Sequence, residues 1–98
     1  MYGSVMIGTL AGSAEPVREA MEVWLKERGP HAVGFVDAGV LIGDDGETVV
    51  TFARFTDQES YTTLADDPDQ DAWYRERLAP ALDGEPRWID GEWTNTPG

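Results

Sequence analysis

Three side chains in the second half of the chain and one in the first are the candidates for chemistry. Tyr61 and Trp73 lie within reach of one another on two successive helical stretches, with Tyr74 beside them. An indole and a phenol placed together can stack on a flat aromatic molecule, and the phenol can donate a proton to a developing oxyanion. The competing reading is core, because aromatic rings at helical spacing dominate small cores. Arg54 stands inside the apolar run Thr48 to Phe55. Turned inward, it needs a carboxylate or a ligand anion as partner; turned outward, it pairs with a surface acid. His31 is the only histidine and the only side chain that ordinarily titrates near neutrality. Beside Pro30 at a helix-strand junction, it reads better as a spectator than as an acid or base.

The remaining composition narrows the chemistry. The chain has 98 residues, no cysteine, and 7 basic against 19 acidic residues for a formal charge of -12. Thiolate nucleophiles, disulfides and thiolate metal sites are excluded, and one histidine cannot build a multi-histidine centre. No metal and no cofactor are expected. The negative charge repels phosphate backbones and anionic lipid, so neither nucleic acid nor membrane is an expected partner. No basic-then-apolar segment follows Met1, and no apolar run approaches the roughly 20 residues of a spanning helix, so a cytoplasmic protein is expected. The acidic cluster Asp66, Asp67, Asp69 and Asp71 lacks the glycine and terminal glutamate of a calcium loop and reads as helix capping.

The elements that must position these residues centre on Ala32 to Phe55. Two apolar runs flank Gly43-Asp44-Asp45-Gly46, and Asp-Gly between such runs marks a β-hairpin. The first arm, Ala32 to Ile42, is long enough to overrun its partner, and its alternation breaks at Asp37-Ala38-Gly39, which predicts a bulge there. The second arm, Thr48 to Phe55, is apolar on both faces and should be covered on both. Ahead of the hairpin, Tyr2 to Leu10 reads as a strand. Ser13 then offers an N-cap to a helix whose apolar side holds Val17, Ala20, Met21, Trp24, Leu25 and Arg28, stopped by Gly29-Pro30. After the hairpin, Thr56 to Glu59 fits a capping box for a second helix with Tyr61 and Leu64 on its buried side. Asp67, Pro68 and Gln70 fit N-cap, N1 and N3 of a third, which carries Trp73, Tyr74, Arg77 and Leu78 to about Pro80 to Gly84. Arg87 to Thr94 reads as the last strand, with Trp88 and Trp93 on opposite parities, and the tail Asn95 to Gly98 as frayed.

The order strand, helix, strand, strand, helix pair, strand predicts one α+β domain with a ferredoxin-like, split β-α-β topology: a four-stranded antiparallel sheet with helices on one face. The other face stays apolar, and a second copy is its simplest cover. Trp24, Trp88 and Trp93 are assigned to packing and that contact.

The segment Phe55-Thr56-Asp57-Gln58-Glu59-Ser60-Tyr61, continued by Leu64-Ala65-Asp66-Asp67-Pro68 and Gln70-Asp71-Ala72-Trp73, resembles the stretch after strand three in the antibiotic biosynthesis monooxygenase-like family of dimeric α+β barrels. The resemblance is one of elements and spans nearly the whole chain. It implies a homodimer that holds a small aromatic or polyketide-like molecule, with cofactor-independent oxygenation or isomerisation as the chemistry and Tyr61, Trp73 and Arg54 as the residues supplying hydrogen bonds. A non-catalytic ligand-binding or stress-related dimer is the alternative. Many members carry a histidine where this chain has Leu64. Haem-degrading members use an asparagine on strand one and a histidine on the later helices, both missing here, which sets haem degradation aside.

Overall fold

The computed structural model describes residues 1–94, so the tail expected to fray at Asn95 to Gly98 lies outside the described residues. The elements run β1 (Tyr2–Thr9), α1 (Glu15–Glu27), β2 (Phe35–Ile42), β3 (Thr48–Phe55), α2 (Gln58–Ala65), α3 (Pro68–Trp73) and β4 (Arg87–Glu92). Short turns of 3-10 helix at Gly29–His31 and Ala79–Ala81, and one π-helical turn at Tyr74–Leu78, join them. The sheet order is β2-β3-β1-β4 and every neighbouring pair is antiparallel. This is the ferredoxin-like α+β topology that the order of elements predicts.

Alternation along the strands sorts side chains between two faces. Ser4 and Met6 of β1, and Val49, Thr51 and Phe55 of β3, are buried beneath the helices. Val17, Ala20, Met21 and Trp24 of α1 meet them, completed by Leu78, Ala81 and Leu82 from the segment after α3. Leu25, expected on the apolar side of α1, is instead 40% exposed. It sits one position past the stripe, on the rim of a hollow shared with Gly39 and Val40 of β2.

Local chemistry fixes the ends of the helices. Asp57 caps α2 by accepting from Ser60 N at 2.8 Å, one residue later than a box opened by Thr56 would place it. Asp67 caps α3 through Asp69 N at 2.9 Å, as its spacing to Pro68 predicts. Ser13 does not cap α1; Ala14 holds that position without a side-chain bond. A cap at Ser13 would look to the N–H groups of residues 15 and 16, and Pro16 has none.

The hairpin forms around Asp45, whose Oδ1 accepts from Glu47 N and Thr48 N at 2.8 Å each and whose Oδ2 accepts from Thr48 Oγ1 at 2.7 Å. These bonds, the Thr48 amide first, pull its carboxyl down to about 2. Two expectations for β2 are corrected. It starts at Phe35, because Gly34 turns the chain at φ 76° directly against Ser60, where a Cβ would lie 2.3 Å from Oγ. β2 therefore matches β3 in length and does not overrun it. The bulge falls between Phe35 and Asp37, ahead of the expected place. Gly39 stays in register opposite Phe52, and its missing side chain is the space the Phe52 ring takes, since a Cβ would come within 2.6 Å of that ring.

Candidate functional site

The helices do not seal against the sheet everywhere. A cavity of about 370 Å³ opens between α1, α2 and α3 on one side and β1, β3 and β4 on the other. That is within the size range of small-molecule sites. Its wall is aromatic: Trp24, Phe55, Tyr61, Trp73, Tyr74 and Trp88. Ser4, Thr51 and Gln70 supply polar atoms.

The rings form a continuous series. Trp73 lies 6.4 Å from Trp24, Trp24 lies 4.9 Å from Phe35, Phe35 lies 5.7 Å from Phe55, and Phe55 lies 5.6 Å from Tyr61. At the other rim Trp88 of β4 packs 5.5 Å from Tyr74. Most of these pairs meet edge to face, the arrangement that ring quadrupoles favour.

Of the three residues singled out by sequence, Tyr61 and Trp73 share this cavity and Arg54 does not. Tyr61 Oη donates to Asp90 Oδ1 of β4 at 2.9 Å. Burial, and the neighbouring Asp90 with it, pushes the Tyr61 phenol up to about 12, against a hydrogen bond from Ser4 that pulls it down. Tyr61 is therefore protonated at neutral pH, a donor rather than a base. Trp73 donates its indole N–H to Ala20 O of α1 at 3.2 Å. Its proton is committed inside the protein, and what it offers the cavity is a face to stack on.

Arg54 corrects the idea of one three-residue site. β3 buries 49, 51 and 55 under the helices, so residues 50, 52 and 54 point to the opposite face of the sheet. There Arg54 Nε donates to Asp37 Oδ1 at 2.7 Å and Nη2 donates to Oδ2, a two-pronged pair across the β2–β3 register. The guanidinium holds the Asp37 carboxyl below its usual range. His31 is exposed in the Gly29–His31 turn and does not line the cavity. The acidic run serves capping and pairing: Asp67 caps α3, and Asp71 accepts from Arg75 at 2.8 Å. Among the described residues no three metal-ligating side chains converge.

Sequence reasoning missed Gln70 and Asp90, and it assigned Trp24 and Trp88 to packing and the subunit contact. Gln70, read as a capping residue, instead reaches α1: its Oε1 accepts from Trp24 Nε1 at 2.7 Å and from Arg28 Nε at 3.3 Å. Arg28 is tied in turn to Asp67 Oδ2 at 3.0 Å. A legible signal for Asp90 existed. It shares parity with Trp88, so any argument that put Trp88 over the helices put Asp90 there too.

No family model and no curated protein sequence matches the chain. Solved structures do. A monooxygenase from the gene ActVA-Orf6 of Streptomyces coelicolor, in complex with nanaomycin D, superposes with a TM-score of 0.73 at 21% identity, over 99% of this chain and 92% of that one. SnoaB, a cofactor-independent oxygenase from Streptomyces nogalater, gives 0.70 at 18% identity over 99% and 94%. A dimeric ferredoxin-like protein of unknown function from Jannaschia sp. CCS1 gives 0.71 at 15% identity over 95% and 100%. With matching topology from end to end, the chain has the ferredoxin-like α+β fold of the antibiotic biosynthesis monooxygenase-like proteins.

Proposed function

We propose that this protein is a homodimeric, cofactor-independent monooxygenase that oxidises a small planar phenol or its keto tautomer in the cavity between helices and sheet. The observation that carries the reading is the aromatic-walled cavity of about 370 Å³ with a protonated Tyr61 at its edge. Solved structures of the same fold include a cofactor-independent oxygenase and a monooxygenase in complex with nanaomycin D.

The electrons come from the substrate. A phenol or anthrone loses its acidic proton, and the resulting anion reduces dioxygen at the carbon para to its oxygen or at the activated methylene. A C–O bond forms there, the O–O bond then breaks, and the products are a quinone and water. One oxygen atom enters each, and two substrate hydrogens leave as water. Trp73, backed by the buried Trp24, stacks on the ring system and the aromatic wall keeps water out, which raises the energy of the anion and its reducing power. A substrate hydroxyl set against Tyr61 Oη can pass its proton on as Tyr61 gives its own to Asp90, which is exposed and exchanges it with solvent.

Assembly rests on the other sheet face. Ile7, Leu41 and Ile89 are 36%, 65% and 44% exposed there, beside half-buried Val5, Val50 and Phe52. A second copy packed on this face removes the apolar patch from water. A dimeric neighbour of the same fold is precedent. Among the described residues no helix is long and apolar enough to cross a membrane, and a cysteine-free chain suits the cytoplasm.

Incubating the protein with anthrone under labelled dioxygen tests the reaction. Uptake of one O2 per anthraquinone, with one labelled atom in the quinone, is the expected result; absence of turnover with binding intact would point to the alternative, a non-catalytic ligand carrier. One observation favours that alternative: Tyr61 and the indole N–H groups of Trp24 and Trp73 are already bonded within the protein.

A further inference from the structure

Gln70 is the polar residue of the cavity wall whose orientation is locked from behind. Its carbonyl oxygen receives two donors from α1, Trp24 Nε1 at 2.7 Å and Arg28 Nε at 3.3 Å. Reversing the amide would set its own N–H groups against these two, so the oxygen cannot change places with the nitrogen. Arg28 is itself anchored by Asp67 at 3.0 Å, and Asp67 is fixed as the cap of α3. The amide nitrogen of Gln70 has no bonding partner among the described residues. It is also not sealed in protein, because no buried side-chain nitrogen or oxygen is left without a partner. The amide nitrogen is therefore accessible and unpaired, on a residue that lines the cavity.

The geometry assigns Gln70 as the group that selects the ligand: a planar aromatic molecule carrying a carbonyl or phenolate oxygen, which accepts from the Gln70 amide nitrogen while its rings stack on Trp73, itself backed by the buried Trp24. This rests on the cavity being a ligand site and adds what the site recognises. The donors are held in place before the ligand arrives, so little ordering is needed on binding.

Gln70→Glu separates this from a packing role. A glutamate keeps an oxygen for Trp24 and Arg28 and replaces the free NH2 by an acceptor oxygen that also carries negative charge, with nearly the same shape and with the rear contacts kept. Isothermal titration with naphthalene, 1,4-naphthoquinone and 2-naphthylamine on the full chain reads the outcome. The ratio of naphthoquinone to naphthalene affinity is expected to fall about tenfold from wild type to Gln70→Glu, the size of one hydrogen bond to an unpaired donor. Naphthylamine, a donor, should gain over naphthalene in the same variant, and naphthalene itself should bind both proteins alike. An unchanged ratio with naphthalene still bound overturns the assignment of Gln70 and leaves the cavity reading standing. Failure of wild type to bind any of the three probes overturns both.

Discussion

The two faces of the sheet are built from the same strands and do different work. On β3, residues 49, 51 and 55 are buried beneath helices, while residues 50, 52 and 54, one step away each time, lie on a face with no helix over it. The helix-covered face is where fit is incomplete: α2 contributes no fully buried residue, and the room it leaves becomes the aromatic cavity. The bare face presents Ile7, Leu41 and Ile89 and the Arg54–Asp37 pair. Imperfect packing leaves the cavity on one face, and the other presents the flat apolar surface on which the proposed dimer rests. Which of the two an apolar strand residue serves depends on parity alone.

The largest effect expected from breaking this contrast is on the helix side. Phe55 is 0% exposed at the junction of the ring series, and Phe55→Ala should cost about 3–5 kcal/mol in chemical denaturation. On the bare face, Leu41→Glu should leave the isolated subunit folded, since Leu41 is 65% exposed, yet weaken the proposed dimer about a hundredfold by placing an unpaired charge in the contact. Sedimentation equilibrium measures it; a dimer unaffected by this change would remove the bare face from assembly.

The Arg54–Asp37 pair sharpens the same division. In the Leu41→Glu background a double-mutant cycle on the pair should give only the weak coupling of a solvent-screened ion pair. In the dimer, where the second subunit shields the pair, the coupling should grow; equal values in both backgrounds would show that nothing covers it.

Two pH predictions separate the cavity from the hairpin. Tyr61 has its phenol raised, from 10.0 to about 12, so it stabilises the fold fully below pH 10 and the contribution fades as pH climbs toward 12. In an ultraviolet titration Tyr61 and Tyr74, both raised by burial, should ionise late with Tyr61 last, and Tyr61→Phe should remove the last phase. Asp45 has its carboxyl lowered, from 3.8 to about 2, so its contribution is present above pH 3.8 and is lost as pH falls through about 2. The melting temperatures of wild type and Asp45→Asn should differ at neutral pH and converge in acid, a small effect far from either face of the sheet.

Much of the architecture was open to reading because it is written locally. The Asp45-Gly46 turn, the Asp67-Pro68 helix start, the stripe Val17, Ala20, Met21 and Trp24, and the double-sided apolar run of β3 each state their element through spacing or turn chemistry. The errors arose where a distant neighbour set the outcome. Gly39 looked like a bulge and is a seat for Phe52; Gly34 shortened β2 because Ser60 lies against it.

By itself, then, the chain of residue types determined the strand-helix order, the ferredoxin-like sheet, the surplus of apolar side chains, and the absence of thiol chemistry. Tertiary structure alone decided which polar groups meet. Gln70 with Trp24 lies 46 positions apart and Tyr61 with Asp90 lies 29 apart, and no periodicity of 2 or 3.6 carries information over such distances. It also decided that Arg54 faces away from Tyr61 and Trp73, because the side of the sheet that helices cover is fixed by how α1 crosses over it and not by anything within β3.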